Sequence, residues 1–208
     1  MLLAFDTATP QVSVALYDDT DVVAELVSER AMNHGEQLAP LIDRVLRTVS
    51  AERHDLTAVA VGAGPGPFTG LRVGLVTART LGYALEIPVY AVCTLDVLAV
   101  EAVETGAVTG PFTVATDARR KEVYLATYSD SGERLTGPVV DKPATLATDG
   151  PVVGEGALLY PDAFPTAVGP GRPSAGWLAR TVAEERAELL DAEPLYLRRP
   201  DAVARPAR

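Results

Sequence analysis

The chain has a single cysteine, Cys93, in 208 residues, so no disulfide can form within it and no cysteine-rich zinc site can be built. It carries only two lysines, Lys121 and Lys142, and only two histidines, His34 and His54. Eighteen basic residues stand against twenty-eight acidic ones, giving a net charge of -10. Nucleic-acid affinity is mostly phosphate neutralisation by Lys and Arg, so this chain is not expected to hold RNA by itself. No apolar run reaches the ~18 residues that a membrane span needs. The start, Met1-Leu-Leu-Ala-Phe, meets Asp6 at once with no cationic lead, so no secretory leader is expected and the cytoplasm is the expected compartment. What is present is a globular composition, 48% hydrophobic and 22% charged, which excludes a disordered chain.

The most informative pattern is an internal echo. Residues 2–6 form an apolar run ending in Asp6; a polar turn follows, then Val12, Val14 and Leu16 alternate as a returning strand. Residues 112–128 repeat the plan, with an apolar run into Asp117, a polar turn, then Val123, Leu125 and Thr127. In each copy the aspartate stands six residues before the first valine, and a tyrosine, Tyr17 or Tyr128, follows that valine by five. The spacing predicts two α/β lobes, residues 1–104 and 105–208.

Residues 21–28 suit a third strand. Leu38, Leu41, Ile42, Val45, Leu46 and Val49 then form one helical stripe. Asn33 with Glu36 resembles a capping box at its start, and Pro40 would kink the second turn or delay the helix. Residues 56–61 read as a buried strand, 88–92 as another, and Thr94 opens a helix that turns Leu95, Leu98, Ala99 and Ala102 inward. In the second half, residues 151–153 suit a short strand and 157–173 a loop. Ser174 caps a helix to about Leu190, and residues 200–208 suit a frayed tail.

Between the strand at 56–61 and the next helix lies Gly62-Ala-Gly-Pro-Gly-Pro-Phe-Thr-Gly70. A Walker loop would need Gly-Lys-Ser/Thr, and no lysine lies here; Pro67 occupies the third glycine position of the dinucleotide fingerprint. Gly70, Gly74, Ala78 and Gly82 then recur every four residues along one helix face. Each interior glycine costs about 0.8–1 kcal/mol relative to alanine, so another backbone is expected close to this face. It could belong to the chain's own sheet or to a second subunit.

Asp6 and Asp117 could hold a metal-bound phosphate, but a carboxylate that closes a strand ordinarily forms a turn. His34 and His54 have no third ligand in sequence reach, whereas catalytic zinc needs about three. Neither a Gly-x-Ser-x-Gly elbow nor a paired nucleophile and histidine is present. Arg119-Arg120-Lys121 and Arg198-Arg199 are short charge runs of the kind that usually stay solvated.

Leu3-Ala-Phe-Asp-Thr7, Gly64-Pro-Gly-Pro-Phe-Thr-Gly-Leu-Arg-Val-Gly74, Asp117-Ala-Arg-Arg-Lys-Glu-Val-Tyr124 and Pro194-Leu-Tyr-Leu-Arg198 together resemble the bacterial TsaB (YeaZ) family. The one departure in the glycine block is Pro67, where that family usually has serine. The resemblance implies an α/β fold of the actin-like ATPase (ASKHA) superfold, made of two similar lobes from an internal duplication. It also implies a non-catalytic scaffold in tRNA threonylcarbamoyladenosine synthesis. The expected partners are the catalytic TsaD and the ATPase TsaE, with a homodimer in isolation and tRNA reached only through the complex. No cofactor or metal of its own is expected. The catalytic sister carries a histidine pair at the positions of Thr94 and Leu98 here, and neither residue replaces imidazole as a metal ligand.

The resemblance implies an interface on the two first-lobe helices, and the expected contact residues are Leu38, Leu41, Ile42, Val45, Gly70, Leu71, Gly74, Ala78 and Gly82. Competing expectations are a metallopeptidase of the glycoprotease lineage and a small-molecule kinase of the same superfold. The first lacks zinc ligands. The second would need a glycine in the turn Thr7-Ala-Thr-Pro10, which has none.

Overall fold

The computed structural model describes residues 1–28 and 33–198. The expected tail at 200–208 lies outside the described residues. The first half contains strands β1 (Leu2–Asp6), β2 (Ser13–Tyr17) and β3 (Val22–Val27), helix α1 (His34–Thr48), strand β4 (Ala58–Gly64), helix α2 (Phe68–Leu85), strand β5 (Val89–Cys93) and helix α3 (Thr94–Glu104). The second half contains β6 (Phe112–Asp117), β7 (Val123–Tyr128), β8 (Arg134–Asp141), β9 (Val152–Val153), helix α4 (Glu155–Leu159), β10 (Ala167–Val168) and helix α5 (Ala175–Ala183).

The two sheets have one topology. The first is ordered β3-β2-β1-β4-β5 and the second, read from its other edge, β8-β7-β6-β9-β10. Each begins with an antiparallel meander and continues with parallel strands added beside its first strand. This is the duplicated α/β architecture expected from the echo. The second copy is reduced: a 3-10 turn, Pro143–Thr145, stands where the first copy has α1, and five-residue α4 stands where it has α2. The equal spacing in sequence also hides a difference of one residue. Asp6 pairs with Ser13, whereas Asp117 pairs with Val123, because the second turn is one residue shorter.

Each sheet is covered on both faces. Leu3, Phe5, Val14, Leu16, Val59 and Val61 pack under α1 and α2. The opposite face, with Leu2, Ala4, Ala15 and Ala60, is closed by Ala175, Leu178, Ala179 and Val182 of α5. Conversely α3, from the first half, sends Leu95, Leu98, Ala99 and Ala102 against Val114, Tyr124 and Tyr128 of the second sheet. The halves thus exchange their last helices. Burying one such leucine stabilises by about 1.5–3 kcal/mol, so neither sheet is complete without the other half.

Several local expectations need correction. Asn33 is left-handed, with φ 60°, and makes no side-chain cap bond; a capping Asn needs extended backbone. Helix α1 nevertheless begins at His34 and runs through Pro40. Ser174 caps α5 as expected, accepting from the Trp177 N–H at 3.1 Å. The helix ends at Ala183, well before Leu190, because Glu185 turns left-handed and Arg186 N–H bonds back to Thr181 C=O. The chain can then return to pair Leu190 with Ala91 beside β5. The segment 157–173 contains the end of α4 and strand β10 rather than loop alone.

The small-residue ladder faces inward. A β-carbon at Gly70 would lie 2.4 Å from the Thr7 carbonyl oxygen, one at Gly74 2.3 Å from Thr7 Oγ1, and one at Gly82 2.4 Å from Val89 Cγ2. Leu38, Leu41, Ile42, Val45, Leu71 and Ala78 are likewise buried in the chain's own core. All nine expected contact residues therefore serve packing inside this chain. The turn after β1 approaches the ladder at Gly70 and Gly74, and the chain entering β5 approaches it at Gly82.

One carboxyl oxygen of Glu101, on α3, is buried without a hydrogen-bond partner among the described residues. Burial, and the nearby Glu25 charge, push the Glu101 carboxyl up to about 7 from an ordinary 4.5. Two predictions follow from this packing. Gly74→Leu is expected to lower the melting temperature, by an amount equivalent to about 1–3 kcal/mol of overpacking; calorimetry showing a native melting curve would contradict the inward ladder. For Glu101, the folded state holds its proton more tightly than the unfolded state, so stability falls as pH rises from about 4.5 to about 7. Glu101→Gln is expected to flatten that decline and raise the melting temperature at pH 8, read from melting curves across pH 5–8.

Candidate functional site

Strand β1 delivers Asp6 to the core, 2% exposed. Its Oδ1 accepts the Ala8 N–H at 2.6 Å and its Oδ2 accepts the Thr94 hydroxyl at 2.7 Å. A β-carbon at Gly62 would fall 1.9 Å from Oδ2, so β4 needs glycine beside this carboxylate. Burial raises the Asp6 pKa, and the two hydrogen bonds and His34 partly oppose that rise. Asp117 repeats the local geometry at the end of β6: its Oδ1 accepts the Arg119 N–H at 2.9 Å. Both aspartates are turn-formers, as strand-closing carboxylates usually are.

The four sequence motifs meet around the Gly-Pro-Gly loop. Thr7 Oγ1 donates to the Gly70 carbonyl at 2.8 Å, and Gly66 lies against Ala8, where a β-carbon would come within 2.4 Å of its carbonyl oxygen. From the second sheet, the Tyr124 hydroxyl reaches the Gly66 carbonyl at 3.5 Å. The segment after α5 closes the arrangement as a strap. Leu195 N–H bonds to the Ala63 carbonyl at 2.9 Å. Tyr196 stacks on Phe68 at 5.0 Å and accepts from Arg72 Nε at 3.0 Å, while the Arg72 guanidinium sits 3.8 Å from the Phe68 ring centroid. Arg79 holds the Ala192 carbonyl at 2.7 Å and pairs with Glu193. Arg198 donates to the Ala118 carbonyl at 2.7 Å and pairs with Glu122. Arg72 and Tyr196 were visible only as motif letters, because 124 residues separate them.

Thr94 and Leu98, where the family resemblance puts the sister protein's histidine pair, do not fit a metal. Thr94 spends its hydroxyl on Asp6, and Leu98 is fully buried among the apolar residues of the second sheet. One carboxylate and one hydroxyl already bonded to each other fall short of the about three ligands that catalytic zinc takes. His34 is buried with Nε2 2.7 Å from the Thr9 carbonyl, and exposed His54 lies between Glu52 and Asp55. No group of three His, Cys, Asp or Glu is placed to hold a metal among the described residues. Cys93 is buried, and burial together with Asp96 pushes its thiol up to about 12, far from a reactive thiolate.

Two surface features were not legible beforehand. The first is the outer face of the first-lobe helices, which are neighbours: a β-carbon at Gly35 of α1 would lie 3.9 Å from Val73 of α2. On α2 this face carries half-buried Val73, Val76 at 59% exposure and Tyr83 at 90%, at i, i+3 and i+10. On α1 it carries exposed Ala39 and Pro40. The signal was a second, weaker stripe beside the glycine ladder. The second feature is the β6–β7 turn, where Arg119, Arg120 and Lys121 have φ 60°, 56° and 61°. Three consecutive left-handed residues with side chains cost on the order of 1–2 kcal/mol each.

A family model described as "TsaD: tRNA N6-adenosine threonylcarbamoyltransferase" matches residues 22–168. An uncharacterized protein of Mycobacterium tuberculosis is 44% identical over 210 residues, spanning 97% of this chain and 93% of that relative. The tRNA threonylcarbamoyladenosine biosynthesis protein TsaB of Escherichia coli is 33% identical over 174 residues, 77% of this chain and 74% of its own length. The solved structure of YeaZ from Pseudomonas aeruginosa superposes with a TM-score of 0.77 at 31% identity, covering 94% of this chain and 99% of that one. With the motifs in one place, two sheets of one topology and these likenesses along nearly its whole length, the chain belongs to the TsaB (YeaZ) family of tRNA threonylcarbamoyladenosine biosynthesis proteins.

Proposed function

We propose that this chain is a non-catalytic scaffold subunit, required with TsaD and TsaE for threonylcarbamoyl transfer to adenosine 37 of tRNAs that read codons starting with A. The observation that carries the reading is the state of Thr94 and Leu98. The two α3 positions where a catalytic sister would place metal ligands are filled by a hydroxyl bonded to Asp6 and by a buried apolar side chain. Chemistry then belongs to TsaD, and this chain acts in the cytoplasm by holding it in a competent form. The TsaD and TsaE assignments are supported by the family resemblance alone.

A solved Pseudomonas aeruginosa relative is described as similar to "peptidase YEAZ", which keeps a peptidase reading in view. The ligand shortage at Thr94 and Leu98 argues against it. The kinase reading needs free hydrogen-bond donors in the turn after β1, but the Ala8 N–H is bound to Asp6 and the Thr7 hydroxyl to the Gly70 carbonyl. Co-purification with the cognate TsaD, followed by tRNA modification assays with and without this chain, tests the proposal. Modification that proceeds equally well without the chain would refute it.

The same reading places partner contact on the outer faces of α1 and α2, since their inner faces are occupied. Val76 and Tyr83 are the exposed apolar anchors of that surface. The double change Val76→Asp and Tyr83→Asp is expected to leave the melting temperature near native while weakening association, with itself and with TsaD, at least tenfold, about 1.4 kcal/mol. Analytical ultracentrifugation that found association unchanged would remove the surface from consideration.

A further inference from the structure

The turn between β6 and β7 joins two features that rarely coincide. Arg119, Arg120 and Lys121 are exposed and adjacent in a chain of net charge -10. Arg120 and Lys121 also fill the two central positions of a tight turn closed by Glu122 N–H to Arg119 C=O at 3.0 Å, both with positive φ. Hairpin turns of that hand prefer Asn-Gly, which adopts them with little strain. Long cationic side chains gain no burial here to offset the unfavourable backbone. The geometry is held from outside the turn, by Asp117 Oδ1 on the Arg119 N–H, by Ala118 N–H on the Glu122 carbonyl and by Arg198 on the Ala118 carbonyl. Backbone strain kept at a solvent-facing turn by surrounding contacts is the pattern of a functional segment.

We infer that this turn is a phosphate-contacting element that engages the tRNA backbone once the chain is assembled with TsaD; this rests on the scaffold reading above. The turn lies on the second sheet, whereas the proposed subunit surface lies on α1 and α2 of the first half. None of the turn's residues belongs to that helical surface, so a change in the turn and a change in the surface test different contacts. Exposed arginine and lysine side chains in sequence match the contacts that position proteins on a phosphate backbone without reading bases.

The test exchanges the turn for the sequence its backbone prefers. The variant Arg120→Asn with Lys121→Gly removes two cations and relieves the left-handed strain, so its melting temperature should equal or exceed the native value. Bound to TsaD, it is titrated with an unmodified tRNA transcript by fluorescence anisotropy at 50 and 200 mM salt. Loss of two phosphate contacts reduces the slope of log affinity against log salt by about 2, so native affinity should gain roughly tenfold over the variant between 200 and 50 mM. The charge-keeping variant Arg120→Lys with Lys121→Arg should retain the native slope. An unchanged slope in the Asn-Gly variant overturns the inference. So does weaker TsaD binding with unchanged tRNA affinity of the saturated complex, which would mark an acidic protein surface as the partner. A native complex that binds tRNA with this turn-dependent slope but does not modify it would count against the scaffold reading and in favour of the contact.

Discussion

The close approach of helix α2 to the turn after β1 is the constraint from which the rest of the molecule follows. Thr7 presses its carbonyl and hydroxyl against the helix where Gly70 and Gly74 offer no side chain, and its hydroxyl bonds back to the Gly70 carbonyl. That contact draws the Gly-Pro-Gly loop over Ala8 and places Phe68 and Arg72 where Tyr196 of the strap can lock them. With its glycine face turned inward, α2 presents Val76 and Tyr83 outward. One steric requirement at Thr7 thus decides how the loop is seated and which face of α2 is left exposed.

The two copies differ in what covers their sheets. The first copy keeps two long helices over its sheet, and the second reduces them to a 3-10 turn and the five residues of α4. Among the described residues, two long helices therefore lie side by side on the first copy, while the second copy carries only short helical turns in their place. The exchanged helices α3 and α5 keep the halves from acting as independent modules, since each closes the other half's sheet. The strap from Leu190 to Arg198 adds a second tie, from Ala91 beside one sheet to Ala118 beside the other.

Much of this was legible because period and spacing report burial directly. The stripe from Leu38 to Leu46, the alternation after Asp6 and Asp117, and the Ser174 cap each have one physical reading, and each is realised. The glycine ladder was ambiguous for a reason no sequence resolves. A helix face without side chains demands a nearby backbone, but the same chain and a second subunit make the same demand. The left-handed Arg119, Arg120 and Lys121 were hidden because their residue types do not announce positive φ as glycine or asparagine does. The length of α5 was overestimated because Glu185, a good helix former, stops the helix by adopting the left-handed conformation.

A strongly acidic chain in a tRNA-modification family poses an electrostatic question that local geometry answers. At physiological ionic strength the Debye length is about 8 Å, so most of the twenty-eight carboxylates are too distant to set the potential at any one surface point. What a nearby phosphate meets is decided by the few groups within that radius. At the β6–β7 turn those include Arg119, Arg120 and Lys121, while the flanking carboxylates Asp117 and Glu122 are engaged by Arg119 and Arg198. The net charge of -10 opposes adventitious RNA binding by the chain alone. Under the tRNA contact inferred above, the β6–β7 turn supplies local attraction inside a complex without making the free chain compete for tRNA.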